Sequence, residues 1–200
     1  MDLEFAIDES TRLRSVRLAD APALFALIET SRPYLRRWLN WVDQTHSEED
    51  IRTFIRSGLD QAAEGRGHVC CIIHDEVHAG ICGFKPIDKT NRSAEMGYWL
   101  AESVAGRGIM TQCVRTLIDY AFRDLQINRI ELRAATENGR SRRVAERLGF
   151  IHEGNLREAE WLNDHFVDQA IYSILKREWD GEQDDGQLSS DSAFSDEVPS

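Results

Sequence analysis

No apolar run in this sequence is long enough to cross a bilayer, and the opening Met1-Asp2-Leu3-Glu4 lacks the basic start of a signal peptide. Both absences lead us to expect a cytoplasmic chain with no membrane partner. Cysteine is scarce. Cys70 and Cys71 are adjacent and Cys82 and Cys113 isolated, so no pair has zinc-knuckle or C-x-x-C spacing, and all four read as reduced core thiols. The six histidines (His46, His68, His74, His78, His152, His165) show no H-E-x-x-H or comparable ligand spacing, so no metal is expected. Positive charge is also short, with 24 Lys and Arg against 35 Asp and Glu and a net charge of −11. Binding a phosphate backbone needs clustered cations, which argues against nucleic acid.

What is present fits one domain with appendages. Two hundred residues can bury a proper core, and the hydrophobic (42%) and charged (30%) fractions are those of an ordinary globular protein. The charge is uneven: residues 181–200 hold six acids and no base, leaving −5 on the rest. Such a polar stretch cannot bury enough surface to order itself, so we read it as a disordered acidic tail. Residues 1–10 read as a flexible lead-in, and 11–180 as the folded domain.

Within that domain Arg12 to Leu18 alternates like a half-buried strand. Asp20 and Pro22 open a helix running to about Thr30, and Ser31 to Trp41 reads as a second, short helix. Ser47 with Glu48, Glu49 and Asp50 is an N-terminal signature ahead of an amphipathic helix. "HVCCIIHDEVHAGICGF" reads as a hairpin turning at His74-Asp75-Glu76, and Arg92 to Leu100 as a further strand. A helical repeat runs from Gly108 to Leu125. "RIELRAA" is a strand, "GRSRRVAERLGF" a helix that stops at Gly149, and "FVDQAIYSI" a late strand. The strands flanking the Gly108–Leu125 helix form a βαβ unit, which predicts parallel neighbours in an otherwise mostly antiparallel sheet. The fold class is therefore mixed α/β, with helices on both faces.

The turn "AGRGIMT" raises the functional question. A strand that feeds a helix through glycines exposes backbone N–H groups at the helix's positive end, where an anion can sit. A P-loop is excluded because no lysine follows Gly108, and a dinucleotide fingerprint would need glycine at Thr111. A tight structural turn remains open on these residues alone.

The surrounding segments narrow the choice. "YWLAESVAGRGIMTQCVRTLIDYAF", "NRIELRAATENGRSRRVAERLGFIHEG" and "LREAEWLND" together resemble the GNAT acetyltransferase superfamily, and within it the Rim-type ribosomal-protein N-acetyltransferases. "LRSVRLADAPALF" is similar to the first strand and helix of that group. The resemblance covers about residues 11 to 180. It departs from the general pattern in placing Ala105 and Met110 where Gln or Arg and Gly or Ala are usual.

The resemblance implies a GNAT fold whose splayed parallel strand pair holds acetyl-CoA as cosubstrate. It assigns cofactor contacts to Trp99, Leu100, Ala101, Gly106, Arg107, Gly108, Ile109, Met110, Thr111, Asn138, Ser141 and Arg143. A backbone N–H near Leu100 would hold the thioester oxygen, Asn138 the pantetheine arm, and Ser141 the departing thiolate. Ser141 also reads as a plain helix-start hydroxyl. Two carboxylates compete as general base, Glu160 in "REAEW" and Glu95 in "SAEMGYW". Tyr34, Trp38, Trp41 and Trp161 are candidates to wall the acceptor pocket, although helical spacing also suits Trp38 and Trp41 to a core. The implied activity is acetyl transfer to a primary amine, first of all the α-amine of a ribosomal protein's N-terminus. A small amine (polyamine, amino acid or antibiotic) and an idle acetyl-CoA-binding module are the alternatives, and the group admits a homodimer.

Overall fold

The computed structural model describes residues 2–179, so the expected tail at 181–200 lies outside the described residues. Among these, eight strands form one sheet in the order β1-β2-β3-β4-β5-β6-β8-β7. They are β1 Glu4–Ala6, β2 Thr11–Ser15, β3 His68–His74, β4 Val77–Phe84, β5 Ser93–Leu100, β6 Arg129–Ala135, β7 Ile151–Leu162 and β8 His165–Leu175. Every pairing is antiparallel except β5 with β6. Among the described residues the longer helices beside the sheet are α1 Ala21–Leu35, α2 Glu48–Ala63, α3 Ile109–Arg123 and α4 Gly139–Arg147.

The strands separate two apolar clusters. One packs Cys113, Val114, Leu117 and Ile118 of α3 and Val144 of α4 against Ile72, Met96, Ile130 and Leu132. The other packs Leu24 and Ile28 of α1 and Ile51 and Ile55 of α2 against Cys71, Ile73 and Ile81. Neighbouring residues of one strand point to opposite faces, so Cys70 and Cys71 enter different clusters. All four cysteines are free and buried. Burial pushes the Cys70 and Cys113 thiols up to about 12.

Several elements differ from the sequence-based expectation, the unforeseen strand β7 among them. The lead-in is not wholly loose, because Glu4–Ala6 pairs with Arg12, Leu13 and Arg14. The two helices expected before residue 41 are one up to Leu35, running through Pro33. Proline removes one i→i−4 bond there, but Leu24, Ile28, Ser31 and Leu35 keep a single buried stripe. Arg32 reinforces it by donating to the Val42 and Thr45 carbonyls. Finally, Asp20 does not cap α1 with its side chain. Its carboxylate takes both Arg14 guanidinium nitrogens (2.6 and 2.8 Å), the Arg17 N–H (2.7 Å) and His78 Nε2 (3.0 Å).

Candidate active site

Gly106 and Gly108 both hold positive φ, 84° and 86°, and a Cβ on either would meet nothing within 4 Å. Backbone conformation, not crowding, requires glycine here. Gly108 precedes α3 in left-handed conformation, no side chain caps the helix, and its first turn carries no acid. The opening amides of α3 are thus left for an external acceptor. They face a cleft of about 350 Å³, whose lining includes Gly106, Gly108, Thr111, Arg140, Arg143 and Arg147. Backbone donors and three guanidinium groups give it the chemistry to receive a multiply charged anion.

The cleft continues into the sheet. Pairing of β5 with β6 runs from Ser93↔Arg129 to Met96↔Leu132 and stops, although both strands continue. Glu95 O and the Ala101 N–H bond toward the β4 side, to the Lys85 N–H (2.9 Å) and Ala79 O (2.8 Å). Strand alternation then directs the N–H groups of Tyr98 and Leu100 the other way, into the opening wedge. An extended ligand arm can pair there with the free edge of β5.

Ser141 stands where the wedge meets α4. Its hydroxyl does not cap the helix. Asn138 does that, its Oδ1 accepting from the Ser141 N–H at 3.2 Å. Ser141 Oγ instead lies 2.9 Å from the Tyr98 hydroxyl, which also reaches the Ser141 carbonyl at 3.2 Å. Burial pushes the Tyr98 phenol well above its ordinary range, against the pull of the Ser141 hydrogen bond, so it stays protonated.

A second cavity, about 660 Å³, opens on the side of α1 and α2. Apolar residues such as Leu24, Ile51, Trp41 and Trp99 line it together with Glu95 and Glu160. Trp41 and Trp99 pack at 6.1 Å between ring centroids. Trp38, Leu39, Tyr98, Trp99, Asn138 and Ser141 line both cavities, so the two meet around Ser141.

The two glutamates are held differently. Lys85 Nζ donates to Glu95 Oε1, and Arg133 Nε stands 3.9 Å from Glu95 Oε2. Arg133 also pairs with Glu131 (2.7 Å), so Glu95 belongs to a chain of ion pairs. Glu160 has one described side-chain partner, the neutral amide of Gln169, which donates to its Oε2.

Several expected site residues are not where their expected roles need them. Ala101 is buried, with its N–H bonded to Ala79 O. The Arg107 side chain turns back to the Ser103 carbonyl at 3.2 Å. Trp161 is half exposed, stacks edge-on against Phe166 at 4.8 Å and lines neither cavity. Tyr34 lines the anion-side cleft instead of the acceptor side, and Arg140 lies over its ring at 5.8 Å. Tyr98, Arg140, Arg147 and Gln169 were missed by the sequence reading. The "GRSRRVAER" run carried a usable signal, because its arginines at helical spacing follow a Gly-rich anion turn.

Asp20, Cys71 and His78 bring three ligand-type atoms together away from the site. Arg14 already occupies both Asp20 oxygens, which disfavours a cation there.

The model of the acetyltransferase (GNAT) domain family matches residues 11–151. A putative ribosomal N-acetyltransferase, YdaF of Bacillus subtilis, is 36% identical over 88% of this chain and 97% of its own length. The ribosomal-protein-serine acetyltransferase of Escherichia coli is 33% identical over 84% and 94%. Among solved structures, the ribosomal-protein alpha-N-acetyltransferase RimL in complex with coenzyme A superposes with a TM-score of 0.84. It is 28% identical, and the match covers 86% of this chain and 98% of that one.

Proposed function

This chain belongs to the GNAT acetyltransferase family and is an N-acetyltransferase, and from that premise we propose that it transfers acetyl from acetyl-CoA to the N-terminal α-amine of a ribosomal protein. The observation that carries the reading is the meeting of two cavities at Ser141, one suited to an anionic donor and one to an amine with its side chain. The acceptor class follows the activities for which the relatives are named.

Acetyl-CoA brings an activated acyl group and a good leaving thiol, and the chain's residues do the remaining work. The uncapped N-terminus of α3 and Arg140, Arg143 and Arg147 hold the pyrophosphate end. The free edge of β5 aligns the pantetheine arm, and the Leu100 N–H faces the thioester oxygen. A preformed donor of this kind is typically worth about 3 kcal/mol as negative charge develops. Glu160 accepts the amine's proton, directly or through one water. Its neutral partner leaves it freer for this than Glu95, which is tied into ion pairs. Ser141 gives a hydrogen bond to the departing thiolate, with the Tyr98 hydroxyl 2.9 Å from Ser141 Oγ to orient it.

The test is a screen of N-terminal peptides of ribosomal proteins beside free polyamines and amino acids, with acetyl-CoA, read by thiol release and product mass. The proposal expects α-N-acetylated peptide with the highest kcat/KM. Efficient turnover confined to small amines overturns the acceptor assignment.

A further inference from the structure

β7 and β8 form a hairpin whose register is broken next to Glu160. Asn155 pairs with Ala170 and Leu156 with Gln169, and regular continuation would set Glu160 opposite His165. Its observed partner is Val167. The segment from Leu156 to Glu160 thus carries two residues more than the strand opposite. That bulge displaces Glu160 along β8 by two positions, about 7 Å at the rise of an antiparallel strand. Glu160 is thereby brought one diagonal step from Gln169, close enough for the Gln169 amide to donate to Glu160 Oε2. β7 is otherwise an exposed edge strand on which only Gly154, Glu160 and Leu162 are sheltered.

The bulge has its own support. Glu158 adopts a φ of 49°, a left-handed conformation that side-chain-bearing residues rarely take. Its N–H bonds to Asp168 Oδ1 at 2.8 Å. The Asp168 carbonyl in turn accepts from the Thr136 N–H at 2.9 Å, just ahead of the turn that carries Asn138 and Ser141. Asp168 therefore ties the bulge under Glu160 to the segment that presents the serine.

We propose that Asp168 and Gln169 are positioning residues for Glu160, an inference that rests on reading Glu160 as the base. Asp168 holds the bulge that carries the carboxylate to the acceptor cavity. Gln169 holds Oε2 and leaves Oε1 to take the proton from the incoming amine.

The test measures kcat and both KM values, with one verified amine, for wild type, Gln169→Met, Asp168→Ala, Asp168→Asn, Glu160→Gln and the double variant Gln169→Met/Glu160→Gln. Gln169→Met and Asp168→Ala are expected to lose roughly tenfold in kcat, the scale of one hydrogen bond to a charged group. The acetyl-CoA KM should not change. Asp168→Asn still offers an oxygen to the Glu158 N–H and should recover most of the rate. A residue that acts only through Glu160 adds no further loss once Glu160 is gone, so the double variant should match Glu160→Gln. Gln169→Met removes no backbone bond and decides the matter if Asp168→Ala does not fold. Wild-type kcat in Gln169→Met, or additive losses in the double variant, overturns the positioning role while Glu160→Gln remains crippled. Normal turnover by Glu160→Gln overturns the base assignment itself, and the positioning role with it.

Discussion

The Tyr98 hydroxyl and Ser141 Oγ lie 2.9 Å apart where the anion-side cleft meets the acceptor cavity. One residue comes from the diverging end of β5 and the other from the first turn of α4, so the pair forms only when the parallel strands have parted. Ser141→Ala should lower kcat by ~10²-fold, the lower end of general acid–base effects. Tyr98→Phe, which keeps the serine and removes the hydroxyl that reaches its Oγ and carbonyl, should cost up to about tenfold. The Ser141→Ala deficit should shrink with acyl donors of more acidic thiol, because such leaving groups need less help. A deficit independent of the leaving group would remove Ser141 from that step.

Gly108 offers a second test. Gly108→Ala would add a methyl group into open space, and its only cost is the positive φ, on the order of 1 kcal/mol. Gly108→Asp adds a negative charge beside the amides that face the cleft. Calorimetry should find CoA affinity modestly reduced in Gly108→Ala and abolished in Gly108→Asp. Equal affinities in the two variants would mean that the anion binds elsewhere.

Asp20 has a structural role with a defined pH dependence. Burial alone would raise its pKa, but hydrogen bonds from Arg14, His78 and the Arg17 N–H outweigh that and hold the carboxyl well below the usual range. A depressed folded-state pKa contributes stability that is complete above the unfolded value, near pH 4, and is lost as pH falls toward the folded one. Asp20→Asn leaves Arg14 without its partner and should cost on the order of 3 kcal/mol at pH 7, roughly 6–12 °C in Tm. The difference should narrow steadily from pH 4 to pH 2. A gap in Tm that is constant over that range would show that the charge of Asp20 is not what stabilises the fold.

Trp161 and Trp38 separate the surface from the pocket. Trp161 stacks on Phe166 outside both cavities, whereas Trp38 lines both. Trp161→Ala should leave both KM values within about twofold, and Trp38→Ala should raise the KM of donor and acceptor together. A rise in the acceptor KM confined to Trp161→Ala would place the peptide across the β7–β8 hairpin.

Much of the molecule was readable where one local rule determines structure. Gly106 and Gly108 mark the turn into α3 because only glycine takes positive φ freely, and the repeat from Met110 to Leu117 marks the buried face of that helix. The parallel pair followed from the helix between its strands. Other features depend on distant partners. β7 went unread because its exposed residues carry no alternation. Helix α1 was divided at Ser31 because the Arg32 contacts with Val42 and Thr45 that steady it as one are tertiary. Arg140 meets Tyr34 across 106 residues. Gln169 meets Glu160 only through a bulge whose register no periodicity encodes.

The choice between the two glutamates is the central claim, and kcat of Glu160→Gln and Glu95→Gln against pH with one verified amine tests it most directly. The account predicts a loss of ~10²–10⁴-fold in Glu160→Gln, with acetyl-CoA affinity unchanged, and a much smaller loss in Glu95→Gln. Near-normal turnover by Glu160→Gln beside a collapse in Glu95→Gln would contradict it and put the base on β5.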